Sequence, residues 1–187
     1  LALAAFLFAS PSIAHETATG DADFDAWLTA LRAEATVQGI SHDILDASFD
    51  GVTPIPRIIE LDRKQPEFTQ TFAQYMANRI TAKLAQEGRR HFALNKPLLE
   101  KVARKFGVQP RFIVALWGVE TRYGTYTGGF PVIAALATLA YDGRRSAYFR
   151  GELLNGLTIL DEGPIAPADM MGSWAGAMGQ SQFMPSS

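Results

Sequence analysis

The sequence predicts a mainly α-helical chain, and three observations carry that reading. Apolar residues recur at three- and four-residue steps along most of its length. Ser, Thr and Pro stand where helices begin and Gly where they stop. No alternating run is long enough for a strand. At 187 residues the chain suffices for one domain with a real core, and 48% hydrophobic residues fit a globular rather than a disordered protein. No internal repeat or linker divides it.

Residues 1–14, LALAAFLFASPSIA, form a short apolar stretch ending in the small-x-small pattern Ser12-Ile13-Ala14. This reads as the remnant of a secretory signal peptide, too short to span a bilayer, with the mature chain starting near His15. Asp21 and Asp23 then open a helix with Phe24, Trp27, Leu28 and Leu31 on one face. Ser41 caps a short helix through Ile44 and Leu45 that stops at Gly51. Pro54 and Pro56 mark an extended connection. From about Thr69, the residues Phe72, Tyr75, Met76 and Ile80 fall at helical spacing, and Thr81 starts another helix through Leu84. Pro97 opens a helix that ends at Gly107, and Pro110 opens one that runs out near Tyr123-Gly124. A glycine-rich turn leads to an apolar helix over 132–141, and a last helix over 144–160 closes at Gly163-Pro164.

The helix from Pro110 holds the residue of greatest chemical interest. Ile113, Leu116, Trp117 and Glu120 lie at i, i+3, i+4 and i+7, so three apolar side chains are followed on one face by a carboxylate. Desolvation beside Leu116 and Trp117, with the negative end of the helix dipole, would favour the protonated acid. A carboxyl group that keeps its proton near neutral pH is what glycosidic cleavage needs as a general acid. The helix alone leaves another reading open, a solvated glutamate or half of an ion pair with Arg122. The segment 172–187, GSWAGAMGQSQFMPSS, tips the balance. It sets Gly172, Gly176 and Gly179 among Ser173, Gln180 and Gln182, combining close backbone approach with neutral donors and acceptors, as a sugar-binding wall requires.

A formal net charge of −2, with no lysine after Lys105, gives nucleic-acid binding little support. The absence of cysteine removes disulfides, thiol nucleophiles, cysteine-ligated metals and a lipid-modified cysteine at the signal junction. His15, His42 and His91 have no metal-ligand spacing and read as solvated, so no metal or other cofactor is expected. Nor is a second catalytic carboxylate evident. Asp142 reads as an exposed cap or ion-pair partner, and Asp161, Glu162 and Asp169 as members of a solvated, proline-rich loop.

Five blocks, in order, make a resemblance: ELDRKQPEFT (60–69), GVETRYG (118–124), AALATL (134–139), Arg144-Arg145 with Tyr148-Phe149, and the segment 172–187. Together they resemble the lytic murein transglycosylase B family, periplasmic enzymes that cut the glycan strands of peptidoglycan, over most of the chain from about residue 24. The resemblance implies a lysozyme-like fold, with residues 15–187 forming the N-terminal and central part of one catalytic domain and the rest of the cleft lying beyond Ser187. It implies that Glu120 is the single acid/base. Glu120 would protonate the oxygen between N-acetylmuramic acid and N-acetylglucosamine, then deprotonate the C6 hydroxyl of the muramic sugar to close a 1,6-anhydro ring. By position, Ser173 would orient Glu120 or the N-acetyl group, Gln182 would bind sugar, and Tyr75 would stack or hydrogen-bond at the cleft. Arg144 and Arg145 would meet acidic peptide stems. The residues themselves also allow Tyr75 as a core aromatic and the two arginines as a solvated pair. Implied partners are glycan strands, with other cell-wall enzymes as candidates, and the implied location is the periplasm. A muramidase hydrolysing the same bond, and a catalytically dead peptidoglycan-binding module, are the alternatives.

Overall fold

The computed structural model describes residues 22–64 and 71–187. The segment 1–14 read as a signal remnant, His15 and Asp21 lie outside the described residues, as do residues 65–69 of the block 60–69, Thr69 included. Nine helices lie among the described residues: α1 (Ala22–Val37), α2 (His42–Phe49), α3 (Pro56–Arg63), α4 (Phe72–Arg79), α5 (Ala82–Leu94), α6 (Lys96–Phe106), α7 (Pro110–Thr121), α8 (Val132–Asp142) and α9 (Ser146–Glu162). Mainly α is therefore correct. No described helix is long and apolar enough to cross a membrane.

The capping residues act as their chemistry suggests. Ser41 Oγ accepts from the Ile44 N–H at the start of α2, and Thr81 Oγ1 from the Leu84 N–H at the start of α5. Thr71 and Gln74 form a reciprocal capping box on α4. Gly107, at φ +68°, ends α6. Pro56 departs from expectation. It does not prolong an extended connection but stands first in α3, where its missing N–H costs nothing and its fixed φ suits a helix. The last helix also differs at both ends. It begins at Ser146, after a turn containing Arg144 and Arg145. It ends at Glu162, so Asp161 is no loop residue; its Oδ1 accepts from the Ser41 N–H and hydroxyl and ties α9 to α2.

The main core forms around α8, whose residues from Val132 to Ala140 are all buried. Nine consecutive residues without a charge leave no polar face, so such a helix is stable only when surrounded. Phe24, Leu28 and Leu31 of α1, Leu45 and Phe49 of α2, Ile58 of α3 and the Phe149–Leu153–Leu157–Leu160 stripe of α9 pack in the same cluster. Thr138 places a hydroxyl inside α8's buried face, donating to Ala134 O at 2.7 Å and accepting from the Ile55 N–H at 3.1 Å. A smaller cluster joins α5, α6 and α7 through Leu99, Val114 and Tyr123, with Leu84, Phe92, Ile113 and Trp117 at its margin. His91 belongs there rather than in water. Its ring stacks on Tyr123 at 4.6 Å and meets Trp117 edge-on at 4.9 Å, because it lies on the inward side of α5.

Two short strands, β1 (Phe130–Pro131) and β2 (Met171–Gly172), pair antiparallel with Phe130 opposite Gly172. They dock the beginning of the segment 172–187 against the entrance to α8.

Candidate active site

Helix α7 buries Val114, Gly118 and Thr121, a stripe at four- and three-residue steps. This is not the stripe that ends in Glu120. Leu116 is 46% exposed, Val119 is 41% exposed, and Glu120 itself is exposed. The desolvated seat expected for Glu120 is therefore absent. A helix as apolar as α7 offers more than one candidate inward face, and Tyr123 and Leu99 select the one carrying Val114. Nor is there an ion pair with Arg122: among the described residues no hydrogen bond or salt bridge holds the Glu120 carboxylate. Glu120 instead opens onto a groove of about 460 Å³, lined by Arg79, Val119, Thr121, Arg122, Thr125 and Tyr126. It is the only carboxylate among those lining residues.

Past Glu120 the backbone turns through three left-handed residues, Arg122 (φ +50°), Tyr123 (φ +60°) and Gly124 (φ +78°). Two of them carry a Cβ, a conformation that costs roughly 1 kcal/mol or more per residue. Side-chain bonds offset that cost. Tyr123 folds back so that its hydroxyl donates to Leu84 O at 2.9 Å, and burial, with the charge of Glu87, pushes its phenol above the ordinary tyrosine value. Thr121, buried at 1% exposure, accepts from the Gly124 N–H at 3.0 Å and donates to Gln180 O at 2.8 Å.

That last bond brings the segment 172–187 to the end of α7. Gln182 adds a second link, its Nε2 donating to Thr127 O at 2.9 Å and to Gly179 O at 3.0 Å. Gly128, at φ +110°, is the third point of approach, since a Cβ there would lie 2.0 Å from the carbonyl of Gly172. Within the segment, Ser173 Oγ accepts from the Ala177 N–H at 3.0 Å, and the Met178 and Phe183 backbones exchange hydrogen bonds of 2.8 and 3.1 Å. Its far end is held by Glu152 of α9, buried at 4% exposure, which accepts from the Ser186 N–H at 3.0 Å and from the Ser186 hydroxyl at 2.7 Å.

The residues expected at the site thus divide. Glu120 and Gln182 lie on segments bonded to each other, and Ser173 shapes the turn leading to Gln182. Tyr75 is half-buried on α4, under the Arg79 guanidinium at 5.4 Å; α4 has no buried residue, so Tyr75 is not a core aromatic. Arg144 and Arg145 are neither free nor merely solvated. Both donate to the carboxylate of Asp62, which is 2% exposed, and Arg144 also donates to Asp62 O. Asp142 pairs with Arg63 at 2.7 Å, the ion-pair half of its expected role. Thr121 and Glu152 stand outside the sequence reading, and Gln180, expected as a polar side chain of the wall, contributes its backbone carbonyl instead. Thr121 could have been found, because it shares the i, i+4, i+7 stripe of Val114 and Gly118.

A profile of the Transglycosylase SLT domain family matches residues 23–187. Membrane-bound lytic murein transglycosylase B of Escherichia coli (strain K12) is 39% identical over 115 residues, covering 61% of this chain and 32% of that protein. SltB3 from Pseudomonas aeruginosa, solved in complex with NAG-NAM-pentapeptide, superposes with a TM-score of 0.82 at 40% identity, over 87% of this chain and 44% of that one. The Escherichia coli lytic transglycosylase Slt35, solved in complex with bulgecin A, gives 0.74 at 30% identity over 84% and 51%. The chain spans about half or less of the length of these relatives, and the shared architecture is lysozyme-like. A family profile running from α1 to Ser187, with solved relatives that repeat the fold, makes this chain a member of the Transglycosylase SLT domain family.

Proposed function

We propose that this chain is the catalytic-glutamate portion of a peptidoglycan lytic transglycosylase working outside the cytoplasm, in the periplasm, on glycan strands. Glu120 protonates the oxygen between N-acetylmuramic acid and N-acetylglucosamine as the C1–O bond breaks. The same carboxylate then accepts the proton of the muramic C6 hydroxyl as its oxygen bonds to C1, so a 1,6-anhydro ring closes, no water is consumed and Glu120 regains its proton. The observation that carries this reading is a groove whose described lining residues hold one carboxylate, Glu120, at the end of a helix bonded to the segment 172–187. An inverting hydrolase needs a second carboxylate to activate water across the sugar, and a retaining one needs a carboxylate nucleophile. A saccharide filling the groove would exclude water from Glu120, supplying the desolvation that the α7 face does not. Ser173 fits a structural part in the wall, Gln182 a part in sugar binding through its amide oxygen, and Tyr75 a stacking surface beside Arg79.

The test is mass spectrometry of muropeptides released from purified sacculi by the chain and by Glu120→Gln. Anhydro-muramic ends with the chain and none with the variant support the reading. Products that gain a water and a reducible end favour a muramidase instead. Sacculus binding without release by either protein would identify a non-catalytic binding module.

A further inference from the structure

Glu152 is a buried carboxylate that the chemistry at Glu120 leaves without a task. It stands on α9 at 4% exposure, and among the described residues no cation bonds it. Its two oxygens accept from Ser186 alone, one from the N–H at 3.0 Å and the other from the hydroxyl at 2.7 Å. A charge taken out of water is costly, and an apolar side chain like the neighbouring Leu153 and Leu154 would be the less costly occupant. Placement, more than stability, is what such a pair of bonds supplies. The residue placed is Gln182. It is left-handed, at φ +50°, a conformation that a residue bearing a Cβ keeps only where its surroundings enforce it. It lies between two anchors, Gln180 on Thr121 and Ser186 on Glu152. The backbone pair of Met178 and Phe183 closes one turn between them, and the Ser187 N–H to Met184 O bond closes the next. Pro185 is buried in that second turn beside Gly156, where a Cβ would stand 3.8 Å from its Cγ. Gly156 is one helical turn beyond Glu152, so one face of α9 seats both Pro185 and Ser186. Gln182 Nε2 already donates to Thr127 O and Gly179 O, which leaves Oε1 as the atom for sugar. We propose that Glu152, acting through Ser186, is a positioning residue for glycan cleavage, holding Gln182 in its left-handed turn and its amide oxygen at the sugar. The assignment rests on the peptidoglycan reading of the Glu120 groove.

Release of soluble muropeptides from purified sacculis by the full chain tests this, with turnover and sacculus affinity measured separately and well below the melting temperature of each variant. Glu152→Ala should lower turnover about tenfold, within the scale of a misplaced site group, and affinity by about threefold or less. Glu152→Gln should stay within about threefold of the unmodified chain, since its amide can accept from the Ser186 N–H and donate to the Ser186 hydroxyl. In a Gln182→Ala background, Glu152→Ala should change turnover by less than about twofold, because the side chain it positions is gone. A purely structural Glu152 would give the same loss in both backgrounds, and that result overturns the inference, as does full turnover by Gln182→Ala alone. Should Glu152→Ala fail to fold, Ser186→Ala carries the same comparison, with a loss of about threefold that vanishes in the Gln182→Ala background. A second readout does not depend on turnover: the side-chain amide resonances of Gln182 should shift in Ser186→Ala. Unmoved resonances overturn the positioning role and leave the peptidoglycan reading standing. No cleavage by the unmodified chain removes the peptidoglycan reading and this role with it.

Discussion

The hydroxyl of Thr121 donates to the carbonyl oxygen of Gln180 at 2.8 Å, and so fastens the residue after Glu120 to the segment carrying Gln180 and Gln182. The same oxygen accepts from the Gly124 N–H, which holds the left-handed turn behind the helix. A catalytic acid must be placed to within a fraction of an ångström, and remote misplacement can cost about a hundredfold in rate. On the proposed reading Thr121 is a positioning residue, holding the end of α7 that carries Glu120 against the segment that carries Gln182.

Thr121→Val keeps the shape and removes both bonds. Leaving the Gln180 carbonyl and the Gly124 N–H without this partner should cost about 1–3 kcal/mol of stability in urea unfolding. Turnover of sacculi should fall by more than affinity for glycan, with Thr121→Ser restoring most of it. A variant with unchanged turnover would show that the α7 end is placed by other bonds.

Asp62, Arg144 and Arg145 should respond asymmetrically. The carboxylate is 2% exposed, whereas the two arginine side chains are 51% and 44% exposed. Removing the carboxylate leaves cations that water can reach; removing the cations strands a buried anion. Asp62→Asn should therefore cost about 1 kcal/mol. The Arg144→Gln, Arg145→Gln double variant should cost roughly 3 kcal/mol or more. Chemical denaturation of both variants checks the order, and the reverse order would mean that the buried Asp62 carboxylate does not depend on the two arginines.

That cluster also marks where sequence reading stopped. Caps disclosed the starts of α2 and α5, Pro97 and Gly107 bracketed α6, and apolar spacing disclosed α1 and α8, whereas α5 runs ten residues beyond the Leu84 that the spacing reached. Helix α3 was hidden: Pro56 serves an extended chain or a first helical turn equally well, and its buried face holds Ile58 and a charged residue, Asp62. Nothing local to Arg144 and Arg145 announces a partner 82 and 83 residues away. For Glu120, the spacing identified a helix and an apolar stripe, but which of two stripes turns inward is decided by Tyr123 and Leu99, not by α7. The nearness of the block 118–124 to the segment 172–187 was legible only through their common resemblance to one family; its physical basis is Thr121, Gln182 and Gly128.

Alkaline pH should loosen the smaller core. Burial raises the Tyr123 phenol above 10.0, with Glu87 adding to the shift, so the folded state keeps this proton longer than the unfolded chain does. Stability from this group is fully present below the unfolded value and is lost as pH rises through the folded one. Tyr148 is shifted in the same direction, by burial first and then by Glu152, and contributes with the same sign. Melting temperature should thus stay flat near neutrality and fall as pH rises above 10.0. Tyr123→Phe should lose about 1 kcal/mol near neutral pH, with the bond to Leu84 O, and show a shallower alkaline fall. An unchanged alkaline slope would assign the fall to other groups.

Gly176 and Gly179 both have positive φ, +86° and +68°, yet they should differ sharply on substitution. A Cβ at Gly176 would lie 2.4 Å from Cδ2 and 2.7 Å from Cγ of Leu136, which is fully buried at the centre of α8, whereas a Cβ at Gly179 meets nothing within 4 Å. Gly179→Ala should cost only the left-handed conformation, about 1–2 kcal/mol. Gly176→Ala adds overpacking against a side chain that cannot move, a further ~1–3 kcal/mol. The chain can relieve that overlap by lifting the segment 172–187 off α8, and Gln180 and Gln182 would move with it. Gly176→Ala should then lose turnover on sacculi beyond what its lower melting temperature explains. Adding Leu136→Ala should make room for the new methyl and return part of the turnover while lowering stability further, since a large buried side chain has been cut away. Equal melting temperatures for the two glycine variants, or no recovery of turnover in the double variant, would show that the wall is not seated through Leu136.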